Sequence, residues 1–276
     1  MVKKINVIYI LGTSYCGSSL LGFLIGSSKK IFDAGELNHF NRNQNKGGEI
    51  CTCGFNFLKC NFWKPIYKKG HKIYERPSIL ARVFISLKIL FGIKSDRNRL
   101  KDKSEYYFFK DILQQSKKKD NQTKYVLDVS KSLWRLIRLL QEENINLKII
   151  YLYRDIEGNV SSFAKHCKGF WNGLFIYKLN NFLINKFLKT NAINYLQINY
   201  KKLCENPQKT LDKMGEYLGE NYSNYSKKIK YREYHVPSGN YGTRGQFLKK
   251  FKGLKYDNSW EKRLNKFQKN ILRLFN

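Results

Sequence analysis

Small residues, hydroxyls and cations recur at a few places in the sequence where an anion would be held. Gly12-Thr13-Ser14-Tyr15-Cys16-Gly17-Ser18-Ser19 lies between two apolar runs. Gly17 lets the backbone come close to an anion, and Ser18 and Ser19 add hydroxyl donors to the peptide N–H groups. That chemistry is the cradling of a phosphate or sulfate, although a Gly/Ser turn also serves as a plain tight connection. It is not the loop of a nucleoside triphosphatase, because the G-x-x-x-x-G-K-[ST] pattern fails where Ser18 follows Gly17. Arg154, in Ile149-Ile150-Tyr151-Leu152-Tyr153-Arg154-Asp155, carries a planar fork that grips phosphate oxygens, and Ser162 in the next helix adds a hydroxyl. The other role open to Arg154 and Asp155 is a structural ion pair. A carboxylate able to take a proton stands at Glu36, with His166 and His235 as rival bases.

The elements that must carry these residues alternate. Ile5 to Leu11 reads as a strand buried on both faces, and Leu20 to Ile25 as an apolar helix. Lys124 to Asp128 reads as a strand followed by a helix over Leu133 to Glu143, Leu147 to Tyr153 as a strand before a helix from about Ile156, and Asn194 to Asn199 as a strand before a helix over Pro207 to Leu218. Such alternation predicts an α/β fold with a central parallel β-sheet flanked by helices. In that architecture ligands bind at the carboxyl ends of the strands, where the glycine-serine loop and Arg154 both fall. Residues from about 51 to 120 mix aromatic and basic side chains with no sustained period and read as an irregular insertion on the acceptor side of a single domain spanning 1–276.

The chain has 276 residues, with 52 Lys and Arg against 21 Asp and Glu, a formal net charge of +31. The sign favours an anionic partner such as a nucleotide, acidic glycan, nucleic acid or membrane surface, and a Lys-, Asn- and Ile-rich background accounts for part of it. No export signal is evident, so the protein reads as cytoplasmic. The apolar stretch Ile79 to Ile93, interrupted by Arg82 and Lys88, falls short of the roughly 20 residues that span a bilayer. It reads as a buried or interfacial helix, or one resting peripherally on a membrane.

The string Gly-Thr-Ser-Tyr-Cys-Gly-Ser-Ser-Leu-Leu, from Gly12 to Leu21, resembles the 5′-phosphosulfate loop of sulfotransferases that use 3′-phosphoadenosine 5′-phosphosulfate (PAPS). Arg154 with Ser162 resembles their 3′-phosphate motif. Asp128-Val129-Ser130-Lys131-Ser132 is similar to their Asp-Ser-Ser-Lys segment, Ile198 to Leu203 to their Tyr-Glu-Asp-Leu segment, and His235 to Arg244 to the His-x-x-x-Gly-Asn-x-x-x-Arg ending of bacterial-type members. The resemblance covers Val7 to Arg244. It implies a P-loop-like sulfotransferase fold and a co-substrate, PAPS, leaving as adenosine 3′,5′-bisphosphate. It further implies nucleotide contacts from Ser14, Tyr15, Cys16, Gly17, Ser18, Ser19, Leu20, Arg154, Ser162 and Tyr200, closed over by Gly239, Asn240 and Arg244. Lys131 is implied beside the bridging and sulfuryl oxygens. Two departures stand out: Tyr15 and Cys16 replace a cation and a serine of the loop, and Lys201-Lys202 replaces the acidic pair after Tyr200.

Sulfuryl transfer builds negative charge on the leaving phosphate and takes a proton from the acceptor. Lys131, Ser18 and the loop amides suit the first task, and Glu36 the second; related tyrosylprotein sulfotransferases carry a Gly-Glu segment at a matching distance. The expected acceptor offers a hydroxyl or amine on an acidic glycan, a lipid-linked glycan or a small molecule. Cys51, Cys53 and Cys60, with Trp63, resemble a Cys-x-Cys-Gly…Cys-x-x-Trp element of bacterial members. Three thiols with His39 or His71 could hold zinc, but Cys-x-Cys is not the usual knuckle, and a reduced cluster or a disulfide is the expectation, with no metal. Two rival readings remain: a P-loop kinase-like phosphotransferase, which lacks a clear Mg²⁺-holding constellation, and a basic nucleic-acid-binding protein, for which no recognised motif is present.

Overall fold

The computed structural model describes residues 3–41, 50–73, 77–94, 103–239 and 253–275, with the backbone alone at 167, 168, 226 and 231. Five strands form one parallel sheet: β1 (Ile5–Gly12), β2 (Ile31–Asp33), β3 (Tyr125–Lys131), β4 (Ile145–Tyr153) and β5 (Tyr195–Asn199), in the order β2-β3-β1-β4-β5. The register sets Val7 against Val126, Gly12 against Leu152 and Tyr153 against Asn199. The β1 connection runs toward β2 and β3 and that of β4 toward β5, so the strand order reverses between β1 and β4. A crevice opens at such a reversal, at the carboxyl ends of the strands.

Alternate residues of the strands serve two separate cores, as the period of two requires. Val7, Tyr9 and Leu11 pack with Phe32, Val126, Ile149 and Tyr151 on one face, and Ile8 and Ile10 pack with Leu127, Val129, Ile150 and Leu152 on the other. Helix α1 (Ser18–Ile25) covers the second face, joined there by Leu203 and Cys204 of α8 (Tyr200–Glu205) and by Leu211 and Met214 of α9 (Pro207–Leu218). Helix α8 starts on a capping residue, Asn199, whose Oδ1 accepts from Lys202 N at 2.9 Å, and Pro207 occupies the first turn of α9.

The described residues of the segment 51–120 include helices that contribute to the first core. Phe57, Phe62, Trp63 and Ile66, around the short helix α2 (Trp63–Tyr67), belong to the first core with Phe108, Phe109 and Ile112 of α4 (Ser104–Lys119). What holds α4 is not wholly apolar. Arg135 of α5 (Leu133–Leu139) is fully buried and donates from Nε to Asp128 Oδ2 at 2.6 Å and from both terminal nitrogens to Glu105 at 2.9 and 3.1 Å. Helix α3 (Ile79–Leu90) departs from the buried reading. Of its apolar side chains only Ile89 is buried, and Ile79, Leu80, Val83 and Phe84 are exposed. Among the described residues no helix is long and apolar enough to cross a membrane.

The chain continues through α6 (Ile156–Phe163), a single π-helical turn (Ala164–Lys168) and the long α7 (Phe170–Thr190). After α10 (Tyr225–Tyr231), the described part of the tail ends in α11 (Trp260–Arg263) and α12 (Lys266–Arg273). Leu264 and Leu272 there pack with Ile156 and Val160 of α6, which places the tail beside the strand-end crevice.

Candidate active site

The carboxyl ends of all five strands contribute to one cavity of about 1460 Å³. At the end of β1 the chain turns through left-handed residues, Tyr15 at φ 63° and Gly17 at φ 95°, and enters α1. Only glycine fits at 17, because a Cβ there would lie 2.4 Å from the Tyr200 ring. Ser14, Tyr15, Gly17, Ser18, Ser19 and Leu20 line the cavity. Cys16 does not: its side chain is buried beneath the loop, and burial pushes its thiol pKa up. The loop is tied to α6 by Asn159, which donates to Thr13 Oγ1 at 2.9 Å and to the Ser14 carbonyl at 2.8 Å.

Arg154 ends β4 and is 5% exposed. Its guanidinium lies 4.8 Å over the Tyr200 ring, donates to the Tyr15 carbonyl at 3.4 Å and reaches Asp257 through the carbonyl at 3.1 Å and Oδ2 at 3.4 Å. Its Nε is buried without a hydrogen-bond acceptor, 3.8 Å from Asp155 Oδ1. Gly158 makes room for it, since a Cβ at that position would stand 2.5 Å from Nε. Asp155 is turned toward its own helix and caps α6 by accepting from Gly158 N at 2.7 Å. Asp155 thus both caps α6 and pairs with Arg154, whose side chain also lines the cavity. Ser162 lines the same wall.

Lys131 and Glu36 stand together at the ends of β3 and β2, with Nζ 2.5 Å from Oε1. A register irregularity between Tyr9 and Leu11 opposes β3 just where Lys131 takes φ 64°, a conformation that re-aims its side chain out of the strand. Glu36 follows β2 by three residues, and its backbone is held by Ser238, whose Oγ accepts from Glu36 N and donates to Glu36 O, both at 3.0 Å. His39 Nδ1 lies 3.9 Å from the other carboxylate oxygen of Glu36.

The rival bases part company. His166 lines the cavity and stacks on Tyr15 at 5.4 Å. His235 is buried away from it, with Nδ1 3.3 Å from Cys60 Sγ, and this removes it as a base. His71 is taken by Asp111 at 2.7 Å, and the imidazole grouped with the three cysteines is that of His235. Cys51, Cys53 and Cys60 are free thiols. Gly239 lines the cavity, while Asn240 and Arg244 lie outside the described residues.

Several lining residues carry no local signal in the sequence. Lys165 comes from the π-helical turn, and Lys255, Asp257, Ser259, Lys262 and Arg263 come from the tail. Asp257 acts as an internal counter-ion. Burial raises its carboxyl pKa, but hydrogen bonds from Ser259 and the charge of Arg154 outweigh that and hold it below the ordinary value. Among the described residues, six cationic side chains, Lys131, Arg154, Lys165, Lys255, Lys262 and Arg263, face two carboxylates, Glu36 and Asp257. That balance, joined to a helix N-terminus and a glycine-serine loop, suits an occupant with several negative charges.

No family model matches the chain, and no curated protein matches it. Among solved structures it is similar to the sulfotransferase domain from the curacin biosynthetic pathway, with 15% identity and a TM-score of 0.55 over 99% of this chain and 98% of that one. It also matches the sulfotransferase domain from the Synechococcus PCC 7002 olefin synthase, with 17% identity and a TM-score of 0.49 over 99% of this chain and 89% of that one. At such identities the likeness is one of fold, and the first match carries it: the chain has the P-loop-like α/β fold of sulfotransferase domains.

Proposed function

We propose that the protein transfers the sulfuryl group of PAPS to a hydroxyl or amine of an acceptor, an acidic or lipid-linked glycan or a small molecule. The observation that carries this reading is the convergence of three features on one cavity: the Gly12–Ser19 loop, Arg154 on the neighbouring strand, and the Lys131–Glu36 pair. The residues present fit a nucleotide with two phosphate positions. Arg154 Nε is buried and unmatched, and the absence of a Cβ at Gly17 leaves the loop amides open beside the Tyr200 ring. When bound, PAPS supplies the sulfuryl group and a phosphate leaving group.

The chain's own side chains divide the rest. Arg154 and Ser162 grip the 3′-phosphate, and Ser18, Ser19 and the loop amides hold the 5′ end. Lys131 turns from Glu36 to the bridging oxygen, where charge develops as the S–O bond breaks. Glu36, released from that pairing, accepts the acceptor's proton as the new bond to sulfur forms. The test is calorimetric titration of adenosine 3′,5′-bisphosphate into wild type and Arg154→Ala. Tight binding that the substitution abolishes supports the reading. No binding by folded wild type overturns it and favours a nucleic-acid-binding protein.

A further inference from the structure

Residues 51–63 and 234–238 are far apart in sequence and bound together in space. Thr52 N donates to the Val236 carbonyl at 3.1 Å, Val236 N to Thr52 Oγ1 at 2.9 Å, Thr52 Oγ1 to the Tyr234 carbonyl at 2.6 Å, and Trp63 Nε1 to the His235 carbonyl at 2.6 Å. This pairing gathers the sulfurs of Cys51, Cys53 and Cys60 and a ring nitrogen of His235 so that all four atoms lie within 4.8 Å of one another. Cys60 Sγ is 3.7 Å from Cys51 Sγ, 3.6 Å from Cys53 Sγ and 3.3 Å from His235 Nδ1.

Those separations are too long for a disulfide, whose sulfurs stand about 2.05 Å apart. They are close to the edges of a tetrahedron around zinc: bonds of about 2.3 Å to sulfur and about 2.0 Å to nitrogen set S···S at about 3.8 Å and S···N at about 3.5 Å. Cys51 to Phe55 form a tight turn, with Gly54 at φ 90° and Cys51 N donating to the Phe55 carbonyl at 2.8 Å. The backbone N–H groups of Cys53, Phe55, Phe62 and Trp63 are directed at the sulfurs, the first at Cys51, the second at Cys53 and the last two at Cys60. Phe62 stacks on the imidazole with centroids 5.5 Å apart and fixes its plane. His235 turns Nδ1 toward the sulfurs, and Nε2, on the other side of the ring, lies 2.9 Å from Glu233 Oε1, a carboxylate placed to orient the imidazole. Lys119 Nζ contacts Nε2 and also bonds the same Glu233 oxygen at 3.1 Å, which sets a positive charge beside the cluster.

We propose that Cys51, Cys53, Cys60 and His235 hold one structural zinc(II) ion in a closed, four-ligand site. Three thiolates and an imidazole are the donors zinc prefers, and four protein ligands leave no open position for substrate. The ion's role is positional. It fixes residues 234–238, of which Ser238 bonds both backbone groups of Glu36, and the next residue, Gly239, lines the cavity. The assignment of the metal stands independently of sulfuryl transfer.

The test uses the full chain purified under reducing conditions. Elemental analysis is expected to find one zinc per chain. Exchange for cobalt(II) is expected to give the intense visible absorption of a tetrahedral ion with thiolate charge-transfer bands. Glu233→Gln, at an exposed position that does not threaten folding, is expected to weaken metal binding about ten- to a hundredfold, and Cys204→Ser to leave it unchanged. Absence of stoichiometric metal both as purified and after reconstitution, with no cobalt spectrum from folded wild type, overturns the proposal. So does a cobalt spectrum that survives in Cys53→Ser with unaltered intensity and affinity.

Discussion

Glu36 is the side chain whose assigned role depends most on geometry. Its carboxylate is paired with Lys131 at 2.5 Å and its backbone is fixed by Ser238. Glu36→Gln keeps the shape and removes the proton acceptor, so turnover is expected to fall about 10²- to 10⁴-fold. Binding of adenosine 3′,5′-bisphosphate should remain near wild type, because the proposed nucleotide contacts lie elsewhere. Parallel calorimetry and radiolabel-transfer assays with an acceptor found by screening check this, and equal loss of binding and turnover contradicts the assigned role. Glu36 was legible in the sequence because a carboxylate after a short strand falls at a strand end. Arg154 and the loop were legible because each motif is contiguous. Asp257 was not, since it meets Arg154 across 103 residues from a tail without a pattern. Nor was the contact of His235 with Cys60, which lies 175 residues away.

Strand β1, buried on both faces, announces itself as an apolar run, and the helix over Pro207–Leu218 has the bounds its proline and its periodicity predict. Helix α4 is hidden because its buried stripe includes a charge, Glu105, which only the distant Arg135 makes tolerable. That pairing gives a prediction. Glu105→Ala leaves a guanidinium buried with Asp128 alone and is expected to cost about 3–5 kcal/mol in urea unfolding. A loss under about 1 kcal/mol would show that α4 is held by its aromatic residues instead. The packing of α1 on β2 makes a second prediction. Asp33 lies beneath Gly22 and Gly26, where a Cβ would stand 3.0 and 2.8 Å from it. Burial, against the opposing hydrogen bond from Gly35 N and the charge of Arg232 and reinforced by Asp128, raises its pKa from 3.8 to about 7. The folded state therefore holds this proton more tightly than the unfolded chain. Its contribution to stability is full below about pH 4, falls as pH rises from about 4 to 7, and is gone above that. Asp33→Asn, which keeps an acceptor for Gly35 N, should lack this slope when urea midpoints are compared across the interval. Parallel profiles for the two proteins would show that Asp33 is ionised throughout.

At the scale of the whole molecule two electrostatic systems coexist: a diffuse one from the net charge of +31, and a local one in which Arg154 is nearly sealed from water. Salt separates them. The Debye length shrinks from about 10 Å at 0.1 M to about 3 Å at 1 M, which screens exposed lysines far more than a guanidinium at the base of a cavity. Nucleotide binding by the wild type is therefore expected to weaken by about tenfold across that range and to persist, whereas Arg154→Ala should be impaired at every concentration. Duplex DNA of arbitrary sequence, held only by the diffuse field, should be released within the same range, because each neutralised phosphate adds to the salt slope. Calorimetry for the nucleotide and fluorescence anisotropy for DNA, at matched salt, make the comparison. Nucleotide binding that vanishes together with DNA binding would assign the cavity's affinity to bulk charge. Nucleotide binding that outlasts DNA binding and depends on Arg154 ties it to the strand-end geometry, which a count of lysines does not supply.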